Sequence, residues 1–244
     1  MRKLLSDRPK LHYGDPEISR LLEDHETALS RAFLEAAKDP RHLCYGPGDE
    51  VLNFLAQTVS SQSRTLETGA GLTTLIFALR GTEHICITPS QDEINSIRSC
   101  ASQYGIDLER VSFIQAASER FLPTLERREF LDLVLMDGKH AFPWPILDWF
   151  YSAEALKRGG SLVVDDVNIP SVQMLCAFLD EDPRWRLVKR LSRTTVLFQK
   201  TARDIHQVAW HMQPYVMKRY RPASRRERLA WRIRLFLKRW HGTD

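Results

Sequence analysis

The chain has 244 residues, enough for one core of moderate size with additions, and its 43% hydrophobic and 27% charged residues are the balance of a globular protein. No run of eighteen apolar residues occurs, which argues against a spanning helix, and four cysteines (Cys44, Cys86, Cys100, Cys176) without a CxxC pair fit a reducing, cytoplasmic setting rather than a cysteine-rich zinc site. The net charge of +4 is unevenly placed: residues 214–244 hold ten Lys/Arg and two acids, a surplus of +8, so the remaining chain carries −4 and does not suit nucleic acid.

In chain order, the start pairs basic residues with no apolar run behind them, so no secretory signal is expected. Residues 16–38 space Ile18, Leu21, Leu22, Leu29 and Phe33 as a helix does. A turn at Asp39-Pro40 and a loop over Tyr45–Gly48 lead to a second helix carrying Val51, Leu52, Phe54, Leu55 and Val59. Residues 1–60 are thus expected to form a helical cap. After Ser61 short β-rich runs (64–67, 84–88, 111–115, 131–136, 161–164) alternate with helical stretches (73–80, 91–104, 119–127, 145–157, 171–180). This rhythm predicts βαβ units, right-handed crossovers and a mostly parallel sheet covered on both faces, an α/β Rossmann-like domain over 61–200. Trp185–Leu191 and Arg193–Gln199 close it as a hairpin-like antiparallel edge. Residues 201–244 form a basic extension.

In such sheets ligands sit at the carboxyl ends of the strands. The first strand runs into Glu67-Thr68-Gly69-Ala70-Gly71. Gly69 and Gly71 permit a tight turn and close approach of a ligand. Glu67 beside that turn can pair with a cationic amine, whereas a diphosphate prefers bare amides. The full GxGxxG is absent, since Thr74 stands at its last position. Any tight strand-to-helix turn also explains the glycines. At the second strand end, Thr88, Ser90 and Asp92 are candidates for a ribose, but Ser90 with Glu93 fits a capping box, which is the favoured reading. At the third, Ser118 follows Ala116-Ala117, where small residues suit a flat ring; it can cap a helix or bond to a base. The fourth and fifth strands end in Asp137 and in Asp165-Asp166. Three carboxylates at one sheet edge repel one another unless a cation sits among them, and hard oxygen ligands suit Mg²⁺ or Ca²⁺. Capping of the following helices by Asp137 and Asp165 is the alternative.

Over 64–170 the text ETGAG, AASERFLPTL, LDLVLMDGKH and LKRGGSLVVDD resembles class I S-adenosylmethionine-dependent methyltransferases, and more narrowly the metal-dependent O-methyltransferases of the catechol and macrolide-sugar kind. The interval from Asp137 to Asp165-Asp166 equals the spacing of that family's metal-binding acids. The resemblance implies that Glu67, Gly69 and Gly71 hold the methionine part of S-adenosylmethionine and that Ser118 lies near adenine; Thr88 and Ser90 at the second strand end and Asp137 at the fourth are counted with the cofactor-binding candidates. It implies that Asp137, Asp165 and Asp166 bind Mg²⁺ or another divalent ion. His140, three residues after the first metal acid, stands where the family has its proposed general base; Lys139 is one position out of register. Two departures stand out: the acid at the second strand end is missing, and Asp165-Asp166 replaces Asp-Asn.

The expectation is methyl transfer to a hydroxyl of a small molecule, with the metal acidifying that hydroxyl and His140 taking its proton. The alternatives are a metal-independent methyltransferase acting on another acceptor and a non-catalytic S-adenosylmethionine-binding scaffold. His140 as a surface-loop histidine is the plain reading against the base. Phe142, Trp144 and Trp149 either line the acceptor pocket or pack the core. In the tail, RRERLAWRIRLFLKRW places Leu229, Ile233, Phe236, Leu237 and Trp240 on one helical face. Such a helix fits an anionic membrane surface, an acidic partner or RNA, or else packs on a neighbouring subunit of a homo-oligomer; its wide apolar stripe suits membrane or protein burial.

Overall fold

The computed structural model of the protein describes Met1, Lys3, Leu4 and residues 47–126, 128–203 and 209–220. The helix expected over 16–38 and the basic stretch over 225–240 lie outside the described residues. The chain divides into two compact units, Met1–Gln207 and Val208–Asp244.

In the first unit, helix α1 (Asp49–Thr58) opens on Asp49 and Glu50, acids at the positive end of a helix dipole, and buries Val51, Leu52 and Leu55. There follow β1 (Arg64–Thr68), α2 (Leu72–Leu79), β2 (Glu83–Thr88), α3 (Gln91–Tyr104) and β3 (Val111–Gln115). Then come α4 (Ser118–Phe121), β4 (Leu131–Met136), α5 (Trp144–Ala155), β5 (Leu156–Val164) and α6 (Pro170–Glu181). Strands β6 (Trp185–Arg190) and β7 (Val196–Lys200) end the unit. The seven strands lie in the order β3-β2-β1-β4-β5-β7-β6. The first five are parallel, and β7 runs antiparallel to both β5 and β6. This is the expected α/β arrangement, with β7 rather than β6 beside β5.

Side-chain alternation along β4 splits the core in two. Leu133 and Leu135 face Leu52, Leu55, Leu75, Ile76, Phe77 and Ile97; Val134 and Met136 face Trp149, Val172, Leu175 and Leu179. The edge strand β6 exposes Arg186, Lys189 and Arg190, charges that discourage edge-to-edge pairing. Lys200 is fully buried, and its ammonium donates to the carbonyls of Ala153 (2.9 Å) and Leu156 (2.6 Å), which closes the C-terminus of α5.

Three elements differ from expectation. β5 begins at Leu156, not at 161, because Leu156 pairs with Leu131 before a register shift that Gly159 accommodates at φ +85°. The helix after β3 stops at Phe121, where Pro123 turns it into a 3₁₀ segment over Leu122–Thr124. The hairpin turn is wider than one residue: the Ser192 hydroxyl accepts from the amides of Thr194 and Thr195.

What positions the site is the level ending of the central strands. Thr68 pairs with Ile87 and Met136, and Met136 with Val164. The ladder runs one residue further, since Gly69 N donates to the Ile87 carbonyl, Asp137 N to that of Thr68 and Asp165 N to that of Met136, each at 3.0 Å. Three turns are thereby fixed side by side.

The second unit contains, among the described residues, a 3₁₀ turn over Trp210–Met212 and helix α7 (Pro214–Arg219). Its Trp210 and Tyr220 rings lie 5.3 Å apart, and the Arg219 guanidinium sits 3.7 Å from the Tyr215 ring centre. No helix among the described residues is long and apolar enough to cross a membrane.

Candidate active site

The turn after β1 is built around Gly69. Its φ is +90°, and a Cβ there would stand 2.1 Å from the Asp137 carbonyl oxygen. Only glycine fits, and the backbones after β1 and β4 touch because of it. Gly71 caps α2, and its amide donates to the Thr74 hydroxyl at 3.1 Å. Thr74 in turn donates to Glu67.

Glu67 itself is buried. Its carboxylate accepts from Thr73 at 2.6 Å and from Thr74, and lies 3.1 Å from Nε2 of the buried His84. The His84 ring stacks on Phe77, and its Nδ1 is 2.8 Å from the Thr65 hydroxyl. The carboxylate expected to meet a cationic amine is therefore engaged by three side chains (His84, Thr73 and Thr74) and, through Thr74, linked to the Gly71 amide. It shapes the turn from below. Glu67, His84 and Cys86 bring ligand atoms within 4.8 Å of one another, yet all three are buried and hydrogen-bonded. Burial, then the Glu67 charge, pushes the Cys86 thiol well up.

At the end of β2 the capping reading of Ser90 holds. Ser90 Oγ accepts the Glu93 amide at 3.2 Å. The Glu93 carboxylate does not return to the Ser90 amide; it accepts from the Thr88 hydroxyl at 2.6 Å, and Thr88 Oγ1 accepts the Ser90 amide. An acid thus does stand at the end of β2, delivered from the first turn of α3 rather than from the strand. Its charge is felt at Asp137.

Ser118 is the first residue of α4, with Ala117 at the cap position and no side-chain cap. Its hydroxyl bonds instead to Asp148 of α5. Asp148 is buried, and burial raises its carboxyl to about 6 against the pull of Ser118 and Thr68. Its Oδ2 would lie 3.4 Å from a Cβ on Gly138.

The acids after β4 and β5 converge in part. Asp137, His140 and Asp166 bring ligand atoms within 4.8 Å of one another. His140 lies between the acids, with Nδ1 3.4 Å from Asp166 and Nε2 3.8 Å from Asp137. Nε2 is buried without a hydrogen-bond partner. Asp166 reaches the group from a left-handed backbone at φ +53°, a conformation that Asp tolerates better than most residues and that often marks a functional site. Asp165 points elsewhere: it is buried and accepts from the Thr195 hydroxyl at 2.6 Å. Burial raises the Asp137 carboxyl well above the ordinary range, and the charges of Asp165, Asp166 and Glu67 add to it. Asp166 is raised by burial and Asp165, with His140 opposing.

The aromatic residues divide. Trp149 packs in the core against Phe178 and Trp185; Trp144 carries the Lys139 ammonium 3.9 Å from its ring centre; Phe142 is exposed. Glu93, His84 and Asp148 are the site-shaping residues that the sequence did not single out. Glu93 had a signal in its capping position. His84 and Asp148 had none beyond a polar residue in an apolar run.

Comparisons agree with this fold. Residues 66–167 match the family model of a methyltransferase domain. The fold is shared with the O-methyltransferase TomG from Streptomyces achromogenes, solved with S-adenosylmethionine: 19% identity, 73% of this chain and 91% of that one, TM-score 0.54. It is shared with a Podospora anserina methyltransferase bound to S-adenosylhomocysteine, at 18% identity, 78% and 98% coverage and TM-score 0.54. A Geobacter sulfurreducens methyltransferase aligns at 14% identity over 77% of this chain and 97% of that one, TM-score 0.54. No curated protein matches the chain. Residues 66–167 are thus similar to a methyltransferase domain, and the chain has the fold of these solved methyltransferases.

Proposed function

We propose that this S-adenosylmethionine-dependent methyltransferase transfers its methyl group to a hydroxyl of a small molecule, with a divalent cation at the acids after β4 and β5. The observation that supports the reading is the backbone contact at Gly69, which sets the glycine turn directly against Asp137. A cofactor lying on the turn would have its reacting end beside Asp137, His140 and Asp166.

The donor set suits a cation. Two carboxylates and an imidazole share one small volume, burial and mutual repulsion disfavour the charges of the two acids, and His140 Nε2 has no hydrogen-bond partner. Asp137 and Asp166 would hold the ion, with Asp165 adding its charge from its buried place on Thr195. Bound there, a divalent cation would lower the pKa of an acceptor hydroxyl and fix its position.

The chain's own residues do the rest. Asp166 accepts a proton-bearing Nδ1 of His140 and so leaves the Nε2 lone pair free. That nitrogen takes the hydroxyl proton, and the flanking acids stabilise the imidazolium formed. The glycine turn, braced by Glu67, Thr74 and His84, supplies a rigid floor, because transfer of a methyl from sulfonium to oxygen depends chiefly on proximity and alignment. Thr88, Ser90 and Glu93 present a polar face toward a ribose, and Ser118 with Asp148 borders the ring side.

The test is methyl transfer from labelled S-adenosylmethionine to a hydroxyl acceptor panel, with and without chelator. Loss of transfer on chelation and recovery with Mg²⁺ are expected. For His140→Gln, a fall in kcat of about 10²–10⁴ with loss of the acidic limb of the pH–rate profile is expected. Undiminished transfer after chelation would favour a metal-independent enzyme; cofactor binding without transfer to any acceptor would favour a scaffold.

A further inference from the structure

We infer that the acceptor is an uncharged hydroxyl compound with an apolar body larger than a single ring, seated between the loop after β4 and the start of α6. The inference rests on the methyl-transfer reading above and narrows it.

A pocket of about 600 Å³ is lined by His140, Ala141, Phe142, Ile169, Pro170, Ser171 and Met174. His140 belongs both to this wall and to the group with Asp137 and Asp166. A molecule in the pocket therefore reaches the reacting end through His140. The volume lies in the range that takes multi-ring ligands, well beyond one aromatic ring.

The lining selects by chemistry. Only His140 and Ser171 are polar, and both are engaged: Ser171 donates to the His140 carbonyl, and His140 Nδ1 faces Asp166. The other five side chains are apolar. Phe142 is 62% exposed and Met174 45%, so two large apolar groups stand in water at the mouth. A bare sugar would set several hydroxyls against Phe142, Ile169 and Met174 with no partner, which is costly.

Charge points the same way. None of the lining residues is Lys or Arg, and the nearby Lys139 ammonium rests over the Trp144 ring. Pro170, at the first turn of α6, removes one of the amides that a helix start would offer an anion. Among hydroxyl compounds the pocket thus favours neutral, apolar-bodied ones over acidic or sugar-like ones.

The experiment follows the pocket directly, without turnover. The full chain is labelled with ¹³C-methyl methionine, the Met174 signal is assigned with Met174→Leu, and 2,3-dihydroxynaphthalene, 3,4-dihydroxybenzoate and methyl glucoside are titrated in turn. Dihydroxynaphthalene is expected to shift Met174 saturably, at least tenfold more tightly than dihydroxybenzoate, with no shift from the glucoside. Met174→Lys, followed by calorimetry, is expected to tighten dihydroxybenzoate at least tenfold. Equal or reversed preference, no response at Met174, or an unchanged preference in Met174→Lys would overturn the inference. Calorimetry with S-adenosylmethionine on the same sample tests the underlying reading separately. Cofactor heat with a silent Met174 sinks only the pocket, and a responding Met174 with no cofactor heat supports the pocket while sinking the transferase.

Discussion

The two halves of the sheet's carboxyl edge are built on opposite principles. Beside β1 and β2, the acids are partnered inside the fold: Glu67 with Thr73, Thr74 and His84, and Glu93 with Thr88, while Ser90 takes the Glu93 amide. Beside β4 and β5, like charges face one another and an imidazole nitrogen has no partner. A saturated edge offers a ligand a fixed shape. A frustrated edge offers it free energy, because whatever neutralises the acids relieves a cost already present in the fold. On the proposed reading the first half would be the floor for a cofactor, and the second is where chemistry is expected.

The sharpest way to break this contrast is Asp137→Asn. On the account above it lowers methyl transfer by at least about 10³, a loss in the range seen when a principal transition-state stabiliser is removed. It also stabilises the cation-free protein. The native carboxyl is raised above its unfolded value, so the wild type loses stability as pH rises and the carboxyl ionises, and the amide does not. Thermal melts in chelator at pH 8 check the sign. A variant both inactive and less stable would place Asp137 with the saturated half.

Next comes Gly69→Ala. The added methyl meets the Asp137 carbonyl at 2.1 Å, from a backbone at φ +90°. Urea unfolding is expected to show a loss of about 3 kcal/mol or more, since strain of about 1–3 kcal/mol at the dihedrals adds to the overlap. Gly105, at φ +64° with nothing within 4 Å of its Cβ position, is the control: Gly105→Ala carries the dihedral cost alone.

The smallest effect concerns Asp148, which lies between the halves. Its native value of about 6 exceeds the ordinary 3.8, so its contribution to stability is complete below 3.8 and is lost as pH rises through 6. Stability measured from pH 4.5 to 7.5 should fall by roughly 2–3 kcal/mol through this group, a shift of one unit being about 1.4 kcal/mol. Asp148→Asn should flatten that slope. An unaltered slope would show that Asp148 ionises freely in the fold.

Much of the frame was readable in advance, because it depends on local periodicity. The runs 111–115 and 131–136, and the helix 91–104, fall where alternation and a capping serine place them. The apolar run predicts β5 only from 161; pairing with Leu131, a contact distant in sequence, draws Leu156 into the sheet. The site was readable by type but not by direction. Asp165 and Asp166 are chemically alike; the left-handed backbone at Asp166 and the Thr195 hydroxyl decide which one reaches His140. Glu93 replaces the missing strand-end acid by folding back from a helix, a matter of tertiary geometry. His84 and Asp148 owe their roles to neighbours distant in sequence.

The central claim, that the acids after β4 and β5 form a cation site against the glycine turn, is tested most directly by counting bound Mn²⁺ through the loss of the free-ion electron paramagnetic resonance signal. The account predicts one saturable ion per chain, competed by Mg²⁺ and lost in Asp137→Asn and in Asp166→Asn. Absence of saturable binding in the wild-type protein, or binding that survives both substitutions, would contradict it.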